Sequence, residues 1–123
     1  MVSHIKGWTE GRTKSFITSG LRSLFRRYPI KFEVLKEAKT GKQINISTGR
    51  MSEHFQCKQC LESFPAKQVQ VDHVSPVVDP VIGFVDWNTF IDRLLCPKEN
   101  LQVLCTKCHK EKTKQEKEVR KKK

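Results

Sequence analysis

The first stretch with a clear hydrophobic period is KSFITSGLRSLFRRY, residues 14–28. Ile17, Leu21, Leu24 and Tyr28 fall at i, i+4, i+7 and i+11, one apolar stripe of a helix, and Phe25 widens it. Lys14, Arg22 and Arg26 lie off that stripe. Pro29 ends the segment and can open a second helix over 30–40, which Gly41 stops. The period then fails. Residues 41–54, GKQINISTGRMSEH, are polar and rich in turn formers and read as a loop or linker, with a junction near residue 50.

Order returns with FQCKQC and, after a turn at SFPAK, the alternating run VQVDHV, which predicts a strand. Residues 86–95, DWNTFIDRLL, predict a short helix with Asp86 as N-cap. Trp87, Phe90, Ile91 and Leu94 make its apolar, core-facing side. NLQVLC alternates again at Leu101, Val103 and Cys105. TKCHKEKTKQEKEVR then predicts a basic helix from about residue 106, with a frayed KKK end. The expectation is an α+β fold: an N-terminal helical pair followed by strands and helices.

Charge changes the picture. The 123 residues carry a net +11, unevenly spread. Residues 1–50 hold eleven Lys/Arg against three Asp/Glu; residues 51–109 hold five against seven; residues 110–123 hold eight against three. Two basic arms bracket a mildly acidic middle. Nucleic acid is the simplest partner for such arms, because each phosphate contact releases counterions. No apolar run approaches the length of a membrane span, and no basic face adjoins a broad apolar one, so no membrane partner is expected.

Cysteine supplies the strongest motif. Cys57 and Cys60 form one CxxC, and Cys105 and Cys108 form another. MVSHIKGWTE lacks the apolar core of an export signal, so a reducing, cytoplasmic setting is expected, where such pairs hold metal rather than disulfides. Two pairs suit one tetrahedral Zn²⁺ with four thiolates. Such a site has no open position and is structural. The fifth cysteine, Cys96, follows Leu94-Leu95 and reads as a small buried apolar residue. His4 and His54 fit no motif and read as surface residues.

VDHVSP, residues 71–76, sets an aspartate beside a histidine at a strand end, where neighbours point to opposite faces. Zinc ligation by Cys108 would carry the next residue, His109, near that strand, giving a ββα unit. From Cys57 to about Thr113 the pieces CKQC, VDHVSPVV, NLQVLCTKCH and KEKTK resemble the zinc-bound HNH endonucleases, the ββα-metal nucleases. LRSLFRRYP and WNTFIDRLL are similar, more loosely, to segments of small phage-type HNH proteins. The family letters fall on His73, Asn100 and His109. The long span from His73 to Asn100 holds the Trp87 helix, and Thr113 stands where some members carry a third metal-binding histidine.

The resemblance implies roles. Asp72 and His109 would bind a catalytic Mg²⁺ or Mn²⁺. His73 would be the general base, a task suited to imidazole near neutral pH. Asn100 would bond loop backbone and hold His73 in place. Lys110, Lys112 and Lys114, with Arg22, Arg26 and Arg27, would contact the backbone of double-stranded DNA. It also implies an infected or host bacterial cell, with other phage or host DNA-processing proteins as further partners. The division expected is a basic helical region at 1–50, an HNH nuclease module with its structural zinc at 51–115, and a basic tail at 116–123. The expected function is DNA endonuclease; the alternative is a non-catalytic zinc-stabilised DNA-binding or packaging-accessory module on the same scaffold. Taken singly, Asp72 could cap a turn, His73 could be a core residue, Asn100 a turn residue and His109 a spare zinc ligand. In order, between two CxxC pairs, they point to chemistry.

Overall fold

In the computed structural model, which describes residues 3–122, the chain is α+β, with four α-helices and two small antiparallel sheets among those residues. Helix α1 spans Glu10–Leu24, earlier than the apolar stripe predicts. The Thr9 side chain accepts from the Arg12 N–H and fixes its start, with Glu10 in the positive first turn. A 3₁₀ turn, Phe25–Arg27, carries the stripe on to Tyr28. Pro29 then opens α2, Pro29–Glu37, at the position where a missing N–H costs nothing.

The stretch expected to be a loop is instead a hairpin. Strands β1, Lys39–Asn45, and β2, Arg50–Gln56, pair antiparallel, and β3, Ser63–Pro65, pairs only with the base of β2. His54, expected at the surface, is buried on β2, with Nδ1 3.0 Å from the Ser52 carbonyl. Polar β1 is exposed along almost its whole length, so it lacks the half-buried alternation that betrays a strand. His4 is exposed as expected.

The second sheet pairs β4, Val69–His73, with β5, Leu101–Cys105, setting Asp72 opposite Gln102 and His73 opposite Leu101. Helix α4, Thr106–Lys121, follows β5 directly, the basic helix that the sequence predicts from about residue 106. Val34 of α2 shares a buried cluster with Phe55, Val69, Cys96, Leu101 and Val103. Cys96 is buried as expected, and the Tyr28 hydroxyl donates to its carbonyl at 2.8 Å.

Helix α3, Trp87–Leu94, is capped by Asp86, which accepts from the Thr89 N–H at 2.7 Å. Its Phe90 and Leu94 sit with Val77 in a second cluster against Leu21 and Phe25, whereas Ile91 of the expected core face is exposed. Phe90 is only 2% exposed. Phe90→Ala should therefore destabilise the protein by about 3–5 kcal/mol, the usual cost of a cavity that size. Denaturant unfolding measures it, and a loss below about 1 kcal/mol would mean that α3 is not part of the cooperative core.

Candidate metal centre and the adjoining cleft

Four sulfurs meet where the two sheets join. The turn after β2 carries Cys57 and Cys60. Cys105 ends β5 and caps α4, and Cys108 lies in the first turn of α4. The four Sγ atoms all lie within 4.8 Å of one another, and Cys60 and Cys105 are 3.9 Å apart. A tetrahedral Zn–S length near 2.3 Å implies about 3.8 Å between sulfurs, so the cluster has the size of a zinc site. The turn is tied down by Cys57 N–H donating to the Glu62 carbonyl and Leu61 N–H to the Cys57 carbonyl, both at 2.9 Å. Leu61 adopts φ 64°, a left-handed conformation that costs a leucine roughly 1–2 kcal/mol and persists only where its surroundings impose it.

The thiols are prepared unequally. Burial pushes the Cys57 thiol up, but backbone N–H groups of Cys60, Cys105 and Gln59 outweigh it and lower the group to about 6. The hydrogen bond to Cys105, then burial, push Cys108 up to about 12. One thiolate is thus favoured from the start, and a metal ion must displace protons from its neighbours. All five cysteines are free of disulfides.

One strand away lies a cleft. Asp72 and His73 leave the end of β4 on opposite sides. On one side Asp72 Oδ1 lies 3.7 Å from His109 Nε2 of α4, and Gln102 donates to Oδ2 at 3.1 Å. On the other side His73 Nε2 is 2.8 Å from the Leu94 carbonyl. A carbonyl only accepts, so Nε2 carries the proton and Nδ1 keeps the lone pair. The Phe25 ring packs against this imidazole at 4.6 Å. Burial lowers the His73 pKa from its ordinary value, with Arg22 and Lys112 acting the same way; the Leu94 bond and Asp72 oppose them. Asn100 ties the chain beyond His73: its Oδ1 accepts from Ser75 N–H at 2.9 Å, and its carbonyl accepts from Val74 N–H at 2.8 Å. Arg93 of α3 donates to the Pro76 carbonyl from the far side.

Asp72, His73, Asn100 and His109 are therefore brought to one end of the β4–β5 sheet. Among the basic residues, Arg26, Arg27, Lys110 and Lys114 are exposed, and exposed Arg22 lines the cleft beside His73. Lys112 has a different place. Its ammonium reaches Asp72 Oδ2 at 2.8 Å, Glu116 Oε1 at 2.9 Å and the His73 carbonyl at 2.6 Å. Burial pulls this ammonium down, but the bonds to Asp72 and Glu116 outweigh it and raise its pKa. Sequence reasoning missed Glu116 in the cleft. The signal was available: His109, Lys112 and Glu116 fall at i, i+3 and i+7, one face of α4.

Fold and site together define a small α+β protein with a cysteine tetrad that can hold a metal ion such as zinc. Scans against protein-family models, curated proteins and solved structures find no match. Among the described residues no helix is long and apolar enough to cross a membrane.

Proposed function

We propose that this protein is a metal-dependent DNA endonuclease of the HNH kind, with a structural zinc on its four cysteines. One observation carries the reading. A carboxylate and an imidazole, Asp72 and His109, face each other at 3.7 Å across β4 and α4, while a second imidazole, His73, leaves the same strand end on the other side. Asp72 and His109 would hold one Mg²⁺ or Mn²⁺. Such an ion would supply charge neutralisation for phosphodiester hydrolysis. His73 accepts a proton from water at Nδ1, since its Nε2–H is fixed on Leu94. Asn100 keeps His73 in that pose through the Val74-Ser75 backbone. The products are a 5′-phosphate and a 3′-hydroxyl. Incubation with supercoiled plasmid tests the reading: nicked or linear DNA should form with Mg²⁺ or Mn²⁺ and not with chelator present.

The Lys112–Asp72 ion pair favours a second reading, a zinc-stabilised DNA-binding module without catalysis, because a bound ammonium competes for the ligand that a divalent ion needs. The two readings separate on Lys112→Met, which keeps the stem and removes the charge. A charge-assisted hydrogen bond contributes about 1.5–3 kcal/mol. Freeing Asp72 of it should tighten Mn²⁺ binding tenfold or more by calorimetry, on the order of that energy. If neither the native chain nor Lys112→Met takes up Mn²⁺ beyond the zinc, and plasmid is bound but uncut, the second reading holds.

A further inference from the structure

We infer that the β1–β2 hairpin is a two-stranded ribbon that enters the major groove of duplex DNA and reads base edges with Gln43 and Arg50. The inference rests on the proposed action on DNA and assigns a sequence-reading part to it. Beyond the short third strand, residues 42–53 form a ladder of two strands only, because β3 pairs with 54–56 and residues 39–41 lie opposite that part of β2. Strands in a ladder lie about 4.8 Å apart, so a ribbon fits a major groove about 12 Å wide.

Residues 42–53, KQINISTGRMSE, contain Lys42 and Arg50 against Glu53, which sits at the base of the ribbon opposite Lys42. The register sorts their side chains. Cross-strand partners share a face. Gln43 opposite Ser52 and Asn45 opposite Arg50 make one polar face; Lys42 opposite Glu53 and Ile44 opposite Met51 make the other. Arginine and glutamine are the side chains whose forked donors and acceptors match guanine and adenine edges. Gln43 and Arg50 are both exposed. Among the described residues the Arg50 guanidinium makes no hydrogen bond, ion pair or ring contact, so its donors are available. The tip is held by its own bonds: Asn45 Oδ1 accepts from Ser47 N–H at 3.0 Å, and Gly49, at φ 72°, donates to the Asn45 carbonyl at 2.7 Å. Asn45 therefore shapes the tip. Ile46 stands at that tip 97% exposed, placed to meet a thymine methyl. The rival occupant is a second copy of the chain adding to the free edge of β1. Lys39 and Lys42 on that edge oppose it, since lysine on an edge strand guards against pairing.

The test uses the full-length zinc-loaded chain. A duplex is selected from a randomised pool, and binding to it and to a scrambled duplex is measured by anisotropy across a salt series. Arg50→Ala and Gln43→Ala should each lose about tenfold to a hundredfold of the preference for the selected duplex. Arg50→Lys, which keeps the charge and loses the fork, should lose the preference yet bind the scrambled duplex as before. Lys42→Ala should weaken both duplexes alike and lower the salt slope by about one. All four substitutions are at exposed positions, and zinc content with circular dichroism checks the fold. If the native chain binds DNA and these variants keep its preference, or if the native chain shows no preference, the inference fails while the nuclease reading stands. The inference also fails if the native chain sediments as a dimer that duplex DNA does not dissociate and Arg50→Ala changes nothing. Failure of the native chain to bind any duplex at low salt is a different result and removes the proposed function itself.

Discussion

Cys57→Ser is expected to unfold the protein at ordinary temperature, and Cys105→Ser to do the same. Cys57 is fully buried, and with Leu104 and Cys105 it forms the cluster that joins the hairpin sheet to β5 and α4. Phe55 of β2 adds to that join by packing with Val69, Leu101 and Val103, and Lys58 N–H donates to the Val103 carbonyl at 2.8 Å. A tetrathiolate zinc contributes on the order of 10 kcal/mol of folding free energy in small domains, comparable with the whole stability of a chain this size. Serine leaves three ligands and a hydroxyl that binds zinc poorly. Loss of the ion should therefore remove cooperative melting, and a strong chelator should do the same to the native chain, reversibly on adding zinc. The measurement is zinc content together with a thermal melt. A Cys57→Ser protein that melts cooperatively within a few degrees of the native one would show that the cysteine cluster is not what joins the sheets.

Much of this architecture could be read from the chain because it is written in apolar period and cysteine spacing. Asp86 followed by Trp87, Phe90 and Leu94 states a cap and a buried face, and both are found. Two CxxC pairs separated by 44 residues require the chain to return to its starting point, and the four sulfurs do converge. The hairpin was not readable in that way. Its strands bury almost nothing along residues 39–51, so period carries no signal, and the only local cue is the Asn45–Gly49 turn. Lys112 was hidden for another reason. In a run of basic residues one lysine looks like the next, and only the pairing of β4 with β5 reveals that this one faces Asp72. The start of α1 was displaced because its first turn, Glu10–Thr13, is polar and is set by the Thr9 cap rather than by burial.

If the proposed nuclease reading holds, His73→Ala should abolish most cleavage while leaving zinc and DNA binding in place. The imidazole is neither a cysteine-site ligand nor a partner of Asp72 across the cleft; its contacts are the Leu94 carbonyl and the Phe25 ring. Losing the first leaves one carbonyl short of a donor, about 1–3 kcal/mol of stability, and losing the second removes a ring contact. Losing a general base costs about 10²–10⁴-fold in rate. The pH profile carries a sign. The base works when neutral, so cleavage should be low in acid and rise as His73 loses its proton. Burial lowers that pKa, and a divalent ion on Asp72, if bound as proposed, would lower it further, so the midpoint should lie below the ordinary histidine value of about 6.5. Asp72→Ala removes a proposed ligand instead, so raising Mn²⁺ should restore part of its activity, whereas no Mn²⁺ concentration should restore His73→Ala. Plasmid nicking by both variants across a Mn²⁺ titration reads the difference. Wild-type rates from His73→Ala, or rescue of His73→Ala and not of Asp72→Ala, would reverse the roles assigned to the two neighbours at the end of β4.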